Sequence, residues 1–185
     1  MTDRRYINWW LACAESGLVE GRDYQVMFYG GALLSKVAAT DEPSDEDIGE
    51  FVQLLSLGRR LIVVMDSESN SRDDRTNDVM DRGKTKHRIR GEVEGAGGLA
   101  WITNGRQIEN YLEPDLAERA YRASNGVEPD VDFVNTFARL PTDFNTVRVA
   151  RTVELLPPSA DHLGPLDLRE RINEVVAYIR ESQRV

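Results

Sequence analysis

The feature that most constrains the fold of this chain is a short apolar segment, LIVVM at residues 61–65, which ends directly at Asp66. Its length is that of a β-strand, and an apolar run without polar alternation is typical of a strand covered on both faces. A second run, LAWIT at residues 99–103, precedes Asn104. Because segments with helical periodicity surround both runs, the sequence predicts an α/β fold, with a parallel sheet and helices on both faces.

The rest of the chain alternates between helical and extended patterns. Short turns of glycine and polar residues separate the segments, and neither an internal repeat nor a linker divides them. We therefore expect one domain, residues 1–185, with a core over residues 1–112 and a mostly helical C-terminal extension over residues 113–185. The other predicted elements are a helix over residues 4–15, a strand over 24–29, helices starting at Ser44 and Pro114, a helix over 79–93, a helical turn or two over 106–112 and an amphipathic helix over 167–184.

The charged residues are unevenly distributed along the chain. Lys and Arg total 23 against 32 Asp and Glu, so the formal charge is −9, which disfavours binding to nucleic acid. Six acids nevertheless fall within residues 41–50, whereas five bases and no acid occupy residues 82–90. A basic run of this kind is often only a solvated helix face, but it can also meet phosphate. Lys84, Lys86 and Arg88 are the predicted phosphate or DNA contacts.

Composition also excludes several classes of protein and site. No segment approaches the roughly 18 apolar residues of a membrane-spanning helix, and the N-terminus lacks the pattern of a secretory signal. We therefore expect a cytoplasmic protein without a membrane role. With Cys13 as its one cysteine and only two histidines, the chain lacks the residues for a disulfide or a Cys/His zinc site, so oxygen ligands are expected for any metal. The three tryptophans are predicted to be core residues: Trp9, Trp10 and Trp101.

Acidic residues follow the two predicted strands, where open α/β sheets bind their ligands. Asp66 and Glu68 come directly after the first run, and Glu109 lies beyond the second. Carboxylate oxygens are the ligands that Mg²⁺ and Mn²⁺ prefer, so these three are the predicted metal-binding and catalytic residues. Two other interpretations stay open. In one, Asp66 begins a turn, Glu68 is solvated and Glu109 pairs with Arg106 at i, i+3. In the other, Asp66 accepts a phosphoryl group, as in receiver domains.

Five segments of the chain occur in the order in which one known protein family carries them. They are DRRYINWWL at residues 3–11, MFYGGALLS at 27–35, IVVMDSE at 62–68, TKHRI at 85–89 and WITNGRQIENYL at 101–112. On these segments the chain resembles the Toprim nuclease domain of OLD-family (overcoming lysogenization defect) ATP-dependent endonucleases. The GRQIENY stretch is the most specific part of this resemblance.

The resemblance implies a Toprim-like parallel sheet that binds divalent metal and cuts DNA. Asp66 and Glu68 stand at the family's Asp-x-Asp metal pair, Glu109 at its later glutamate and Asp3 at the aspartate of its opening Glu-Gly-x-x-Asp motif. Two Mg²⁺ or Mn²⁺ ions at such a site orient a water nucleophile and stabilise the leaving oxygen. Arg106 is a further phosphate candidate and is expected to hold Glu109 in place. The expected partners are DNA, an OLD-type ATPase domain or subunit and a second copy of the chain, in phage or plasmid defence.

Three departures from the family pattern keep two functions open. The glutamate of the opening motif would precede residue 1, so we expect the first Toprim strand and the ATPase domain to be missing from this chain. Glu68 replaces the second aspartate of Asp-x-Asp, and Thr146 stands near the family's late lysine, with Arg148 as the nearest base. The chain is expected to be an endonuclease domain, or a Toprim-like module that binds nucleic acid or a protein partner without efficient cleavage. Either form is expected to bind divalent metal weakly.

Overall fold

The computed structural model describes residues 2–26, 60–69, 71, 85–127, 133–140 and 144–184. These ranges contain two short strands and five α-helices, together with 3₁₀ turns at Ile108–Tyr111 and Ala160–Leu163. The chain is therefore a mixed α/β protein, as the alternating sequence pattern predicts. In chain order the elements are α1 (Asp3–Cys13), β1 (Ile62–Met65), α2 (Thr85–Gly95), β2 (Leu99–Ile102), α3 (Pro114–Asn125), α4 (Thr146–Glu154) and α5 (Leu168–Ser182).

The two strands pair in parallel, with Ile62 opposite Leu99 and Met65 opposite Ile102. Because side chains alternate along a strand, each face of the pair carries its own set of apolar residues. One set packs with α2 in a small core, and the other belongs to a larger core that α1 and the C-terminal helices build. The α2 side holds Val63, Met65 and Ala100 with Ile89 and Val93, and the opposite side holds Ile62, Leu99 and Trp101.

The prediction that the first apolar run is buried on both faces is only partly confirmed. In the described structure β1 is mostly half-buried, and Val64 is 37% exposed. β2 is the more deeply buried strand, with Trp101 only 1% exposed. The difference arises because the larger core is centred on the Trp101 side chain of β2, while β1 contributes only partly buried side chains to it.

Most of the other predicted elements coincide with observed ones. The helices expected over residues 4–15 and 167–184 are α1 and α5, the helix from Pro114 is α3, and the turn over 106–112 is the 3₁₀ turn. α2 matches the end of the helix expected over residues 79–93, whose first residues lie outside the described ranges. Of the strand expected over residues 24–29, the described part forms only one bridge, between Glu20 and Tyr24. Residues 27–29 and the helix expected from Ser44 lie outside the described residues.

An aromatic cluster forms the centre of the larger core. Tyr6 and Trp10 of α1 stack with their ring centroids 5.7 Å apart, and Trp10 lies 6.5 Å from Trp101. Trp101 in turn meets Tyr111 edge to face at 5.5 Å. Aromatic pairs in such geometries add roughly 0.5–1.5 kcal/mol each beyond the area they bury. Trp9, Trp10 and Trp101 are all buried, which confirms their prediction as core residues.

The C-terminal helices belong to the same core as α1 and β2. α5 buries one apolar side and leaves the charged side chains between these positions outside, as an amphipathic helix does. In the parts of the chain that the structure describes, no helix is both long enough and apolar enough to cross a membrane. The buried residues of α5 are Leu168, Ile172, Val175, Val176 and Ile179.

Gly105, in the loop after β2, lies where two segments of backbone approach each other closely. A Cβ atom at this position would lie 2.8 Å from the carbonyl oxygen of Thr136 and 2.9 Å from Cβ of Asn110. The same carbonyl accepts a hydrogen bond of 2.9 Å from the amide of Arg106, which holds the two segments together. The loop has no room for a side chain at Gly105, because backbone atoms cannot move aside as a flexible side chain can.

We expect Gly105→Ala to lower the free energy of unfolding by roughly 1–3 kcal/mol, the usual cost of overpacking a tight site. Gly91→Ala is the matched control, because Gly91 lies inside α2 and a Cβ atom added there would have no neighbouring atom within 4 Å. That control should gain roughly 0.5–1 kcal/mol from helix propensity. Urea denaturation of both variants measures the two changes, and equal stability of the variants would contradict the close approach at Gly105.

Candidate functional site

Hydrogen bonds join the loops that follow β1 and β2. The amide of Thr103 donates to the carbonyl of Met65 at 2.9 Å, and the amide of Ser67 donates to Oγ1 of Thr103 at 2.8 Å. The Ser67 hydroxyl donates to the carbonyl of Gly105 at 2.6 Å, and the amide of Glu68 donates to the carbonyl of Arg106 at 2.8 Å. Since these bonds extend the strand pairing, the two loops are held side by side at the carboxyl end of the sheet.

This arrangement brings Asp66 to the start of the 3₁₀ turn that carries Glu109. Oδ1 of Asp66 accepts a hydrogen bond of 2.7 Å from the amide of Ile108, the first residue of the turn. Glu109 follows directly and is only 7% exposed. The strand-end aspartate and the glutamate of the next loop therefore lie together, as the sequence predicts from their positions after parallel strands.

Burial and mutual repulsion disturb the ionisation of both carboxyl groups. Burial raises the pKa of Asp66 to about 6, with smaller contributions from the charges of Asp3 and Glu68. The amide of Ile108 and the ammonium of Lys86 oppose this rise in the Asp66 pKa. Burial raises the pKa of Glu109 to about 7, and the charges of Asp66 and Asp3 add to the effect. The charge of Asp3, at the start of α1, thus acts on both carboxyl groups.

The side chains of this cluster have the chemistry of a site for a hard divalent cation. They are carboxylates, and the negative charge of each one repels the others. A cation bound between them would replace this repulsion with attraction. Within the described ranges, however, no three His, Cys, Asp or Glu side chains are grouped closely enough to hold a metal ion as they stand. Asp66 and Glu109 fit the ligand chemistry, while a complete coordination shell requires the carboxylates to move closer.

Glu68 faces a cation instead of the other carboxylates. Its Oε2 lies 2.6 Å from Nζ of Lys86, and its side chain is 71% exposed. The Lys86 ammonium, through this hydrogen bond and its charge, lowers the pKa of Glu68 below its usual range. The backbone of Glu68 has φ of 59°, an uncommon conformation for a residue with a side chain. The structure therefore brings Asp66 and Glu109 together, and places Glu68 at the edge of this pair.

Of the predicted phosphate contacts, Lys86 and Arg88 lie on α2, and Arg106 lies on the loop after β2. Lys86 binds Glu68 and also donates to the carbonyl of Ser67 at 3.3 Å, so its ammonium is held against the loop after β1. Arg106 contributes to the lowered pKa of Glu68, so its charge lies near the same edge of the site. Arg88 is half-buried on α2, and Lys84 lies outside the described residues. The expected pairing of Arg106 with Glu109 stays a prediction.

Tyr111 and Asp167 are two site-supporting residues that the sequence did not reveal. The Tyr111 hydroxyl accepts a hydrogen bond of 2.7 Å from the amide of Asn104 and donates one of 2.6 Å to Oδ1 of Asp167. Oδ2 of Asp167 accepts from Nε of Arg171 at 3.0 Å. This chain of bonds ties the loop that carries Glu109 to α5. The GRQIENY segment contains Tyr111, but nothing in the sequence points to Asp167 as its partner.

The raised pKa of Glu109 predicts that ionising this group opposes folding. Because its folded pKa of about 7 exceeds the ordinary glutamate value of 4.5, its stabilising contribution is complete below pH 4.5 and is lost as the pH rises through 7. Between pH 5.5 and 8 the loss is about 2 kcal/mol. We expect Glu109→Gln to remove this pH dependence and to unfold at higher urea concentration than the wild type at pH 8, in buffer containing EDTA.

Glu68→Gln is the control for this measurement, since the pKa of Glu68 is lowered instead of raised. Its stability should differ from that of the wild type by a small, constant amount across the same pH range, which lies above both the folded and the unfolded pKa of Glu68. If Glu109→Gln retained the wild-type pH dependence, burial of an ionisable Glu109 would be refuted.

Comparison with protein-family models, with curated proteins and with solved structures finds no match to this chain. The resemblance to the Toprim domain therefore rests on the five sequence segments alone. The arrangement of Asp66 and Glu109 at the ends of the two strands is independent of that resemblance.

Proposed function

We propose that this chain is a Toprim-like domain of OLD type that hydrolyses phosphodiester bonds in DNA with the help of Mg²⁺ or Mn²⁺. The observation that carries the proposal is the position of the buried Glu109 next to Ile108, whose amide donates to the half-buried Asp66 at the ends of the two parallel strands. The fold name and the role in phage or plasmid defence come from the sequence resemblance, as do an ATPase partner and a homodimer, whereas the cytoplasmic location is an expectation from the hydropathy pattern of the sequence. The fold name, this role, the location and the partners are therefore parts of the proposal.

A structural role does not account well for the Asp66–Glu109 pair. Burying carboxyl groups near one another is unfavourable when they ionise, and glutamine would fill the same space without that cost. Burial raises the pKa of Glu109, and the negative charges of two further acids, Asp66 and Asp3, raise it more. Groups of this kind, whose environments oppose their ionisation, are concentrated at functional sites. A divalent cation is the ligand class that makes the arrangement favourable.

Asp66 and Glu109 are the proposed metal ligands that come from the two strand-end loops. Asp3 would add a carboxylate from α1, and Glu68 would join these ligands if its side chain turned away from Lys86. A bound cation supplies Lewis acidity that makes a water molecule more nucleophilic and offsets negative charge on the phosphate. The protein's own contribution is to hold its carboxylates at the sheet edge, through the Ile108 amide and the bonds between the two loops.

Lys86 is the proposed link between metal binding and DNA binding. In the described structure its ammonium is bound to the Glu68 carboxylate and the Ser67 carbonyl. If Glu68 ligated a cation instead, the Lys86 ammonium, which the Ser67 carbonyl also holds, would be able to contact a phosphate. Arg106 and Arg88 extend the positive charge on the two neighbouring segments. A local basic surface of this kind allows an acidic protein to approach the DNA backbone.

A second function is favoured by a different observation. Glu68 is paired with Lys86, and no group of three ligating side chains is assembled among the described residues. These features suit a Toprim-like module that binds nucleic acid or a protein partner with little or no cleavage. The two functions differ in whether a divalent ion produces strand breaks, and not in whether DNA binds.

The proposal is tested by metal binding and plasmid nicking on the same protein samples. We expect Mn²⁺ to raise the melting temperature of the wild type, since a ligand that binds only the folded state stabilises it. Mg²⁺ or Mn²⁺ should then support nicking of supercoiled plasmid. Asp66→Asn should lose the metal-dependent stabilisation and at least about 100-fold of the nicking rate, because loss of a ligand costs more than loss of its supporting contacts.

Glu92→Gln provides the control, since Glu92 is an exposed acid on α2, and it should behave as the wild type does. Metal-dependent nicking that survives in Asp66→Asn would remove Asp66 from the site. Metal and DNA binding without any nicking would favour the binding module over the nuclease.

A further inference from the structure

Glu68 is an exposed residue on a loop whose neighbouring positions are buried. Ser67 and Ser69 are 9% and 4% exposed, whereas the Glu68 side chain is 71% exposed. The backbone on either side is fixed, because the Ser67 amide and hydroxyl bond to the loop after β2. The Glu68 amide itself donates to the carbonyl of Arg106 at 2.8 Å. The loop therefore holds the Glu68 backbone in one place and leaves its carboxylate at the surface.

The backbone of Glu68 lies in the left-handed region, with φ of 59°. This conformation is unfavourable for a residue with a side chain, and glycine adopts it without that cost. Uncommon backbone conformations of this kind are concentrated at functional sites. Stability does not explain why this position carries a glutamate, because exposed ion pairs contribute little to folding. The carboxylate itself is therefore the feature that calls for a function.

The Lys86 ammonium contacts both the backbone of this loop and the Glu68 carboxylate. Its Nζ lies 3.3 Å from the carbonyl oxygen of Ser67 and 2.6 Å from Oε2 of Glu68, and the Lys86 side chain is 33% exposed. A carboxylate oxygen and a phosphate oxygen accept the same kind of charge-assisted hydrogen bond from an ammonium. Since the Ser67 carbonyl keeps the ammonium at the loop, the Glu68 carboxylate marks a place where an anion binds.

We infer that the Glu68 carboxylate occupies the place of a DNA phosphate on Lys86, so that it lowers the affinity of the chain for DNA by competing for this ammonium. This role of Glu68 rests on the DNA binding of the proposed function and requires no metal ion. A phosphate that binds here breaks the Glu68–Lys86 pair, forms an equivalent bond to Lys86 and leaves the Glu68 side chain in solvent. The charge of Arg106, which helps to lower the pKa of Glu68, favours an anion at the same place.

The competition is tested by a double-mutant cycle of Glu68 and Lys86, with DNA binding measured in EDTA by the fluorescence anisotropy of a short labelled duplex and the full chain. Glu68→Gln should bind the duplex roughly two- to fivefold more tightly than the wild type, which corresponds to the usual strength of an exposed ion pair. Lys86→Gln should bind it more weakly, because one phosphate contact is lost. In the Lys86→Gln background, Glu68→Gln should lose its specific gain, since the ammonium for which the two anions compete is gone.

Glu92→Gln is the matched control, because it removes the same charge from an exposed position of α2. Its change in DNA affinity measures the general repulsion between an acidic side chain and the duplex. The gain of Glu68→Gln should exceed this change in the wild-type background and be no larger than it in the Lys86→Gln background.

Two results would overturn the competition alone while DNA binding by the wild type persists. One is a gain in Glu68→Gln that is no larger than the gain in Glu92→Gln. The other is a specific gain that is undiminished in the Lys86→Gln background, because the carboxylate then acts without Lys86. If neither the wild type nor Glu68→Gln bound the duplex, both the competition and the DNA binding of the proposed function would be refuted.

Discussion

The hydrogen bonds between the loops after β1 and β2 are the constraint on which the rest of the site depends. Strand pairing sets the register up to Met65 and Ile102, and the bonds of Ser67 and Thr103 carry that register into the loops. Asp66 then meets the Ile108 amide, which places Glu109 beside it. The absence of a side chain at Gly105 is part of the same constraint, since the loop reaches the Thr136 carbonyl only without a Cβ atom.

Burial has two opposing consequences for the carboxyl groups of the site. It holds their geometry, and it makes their ionised forms unfavourable. Tyr6, Trp10, Trp101 and Tyr111 form a rigid aromatic layer against which the carboxylate cluster is built. Burial is also what raises the pKa values of Asp66 and Glu109. A protein selected only for stability would avoid this combination. Its presence at the ends of two parallel strands is therefore more informative about function than the acidity of the chain as a whole.

The C-terminal extension takes part in the site as well as in the core. Asp167 precedes α5 and accepts a hydrogen bond from the Tyr111 hydroxyl, which itself accepts one from the amide of Asn104. Arg171 holds the second oxygen of Asp167. A residue 56 positions after Tyr111 thus fixes the loop that follows the second strand. Sequence patterns do not reveal such a contact, because tyrosine and aspartate at these positions are each compatible with many environments and no periodicity relates them.

The sequence by itself determined the two strands, most of the helices and the proximity of Asp66 and Glu109, because apolar periodicity is local and parallel strands end at one edge. Only the tertiary structure decided how the neighbouring groups are used. It turned Glu68 toward Lys86 and joined Tyr111 to Asp167. These outcomes depend on distances between segments far apart in the chain, and on the competition between burial and charge at each position. Neither these distances nor this competition can be read from the order of the residues alone.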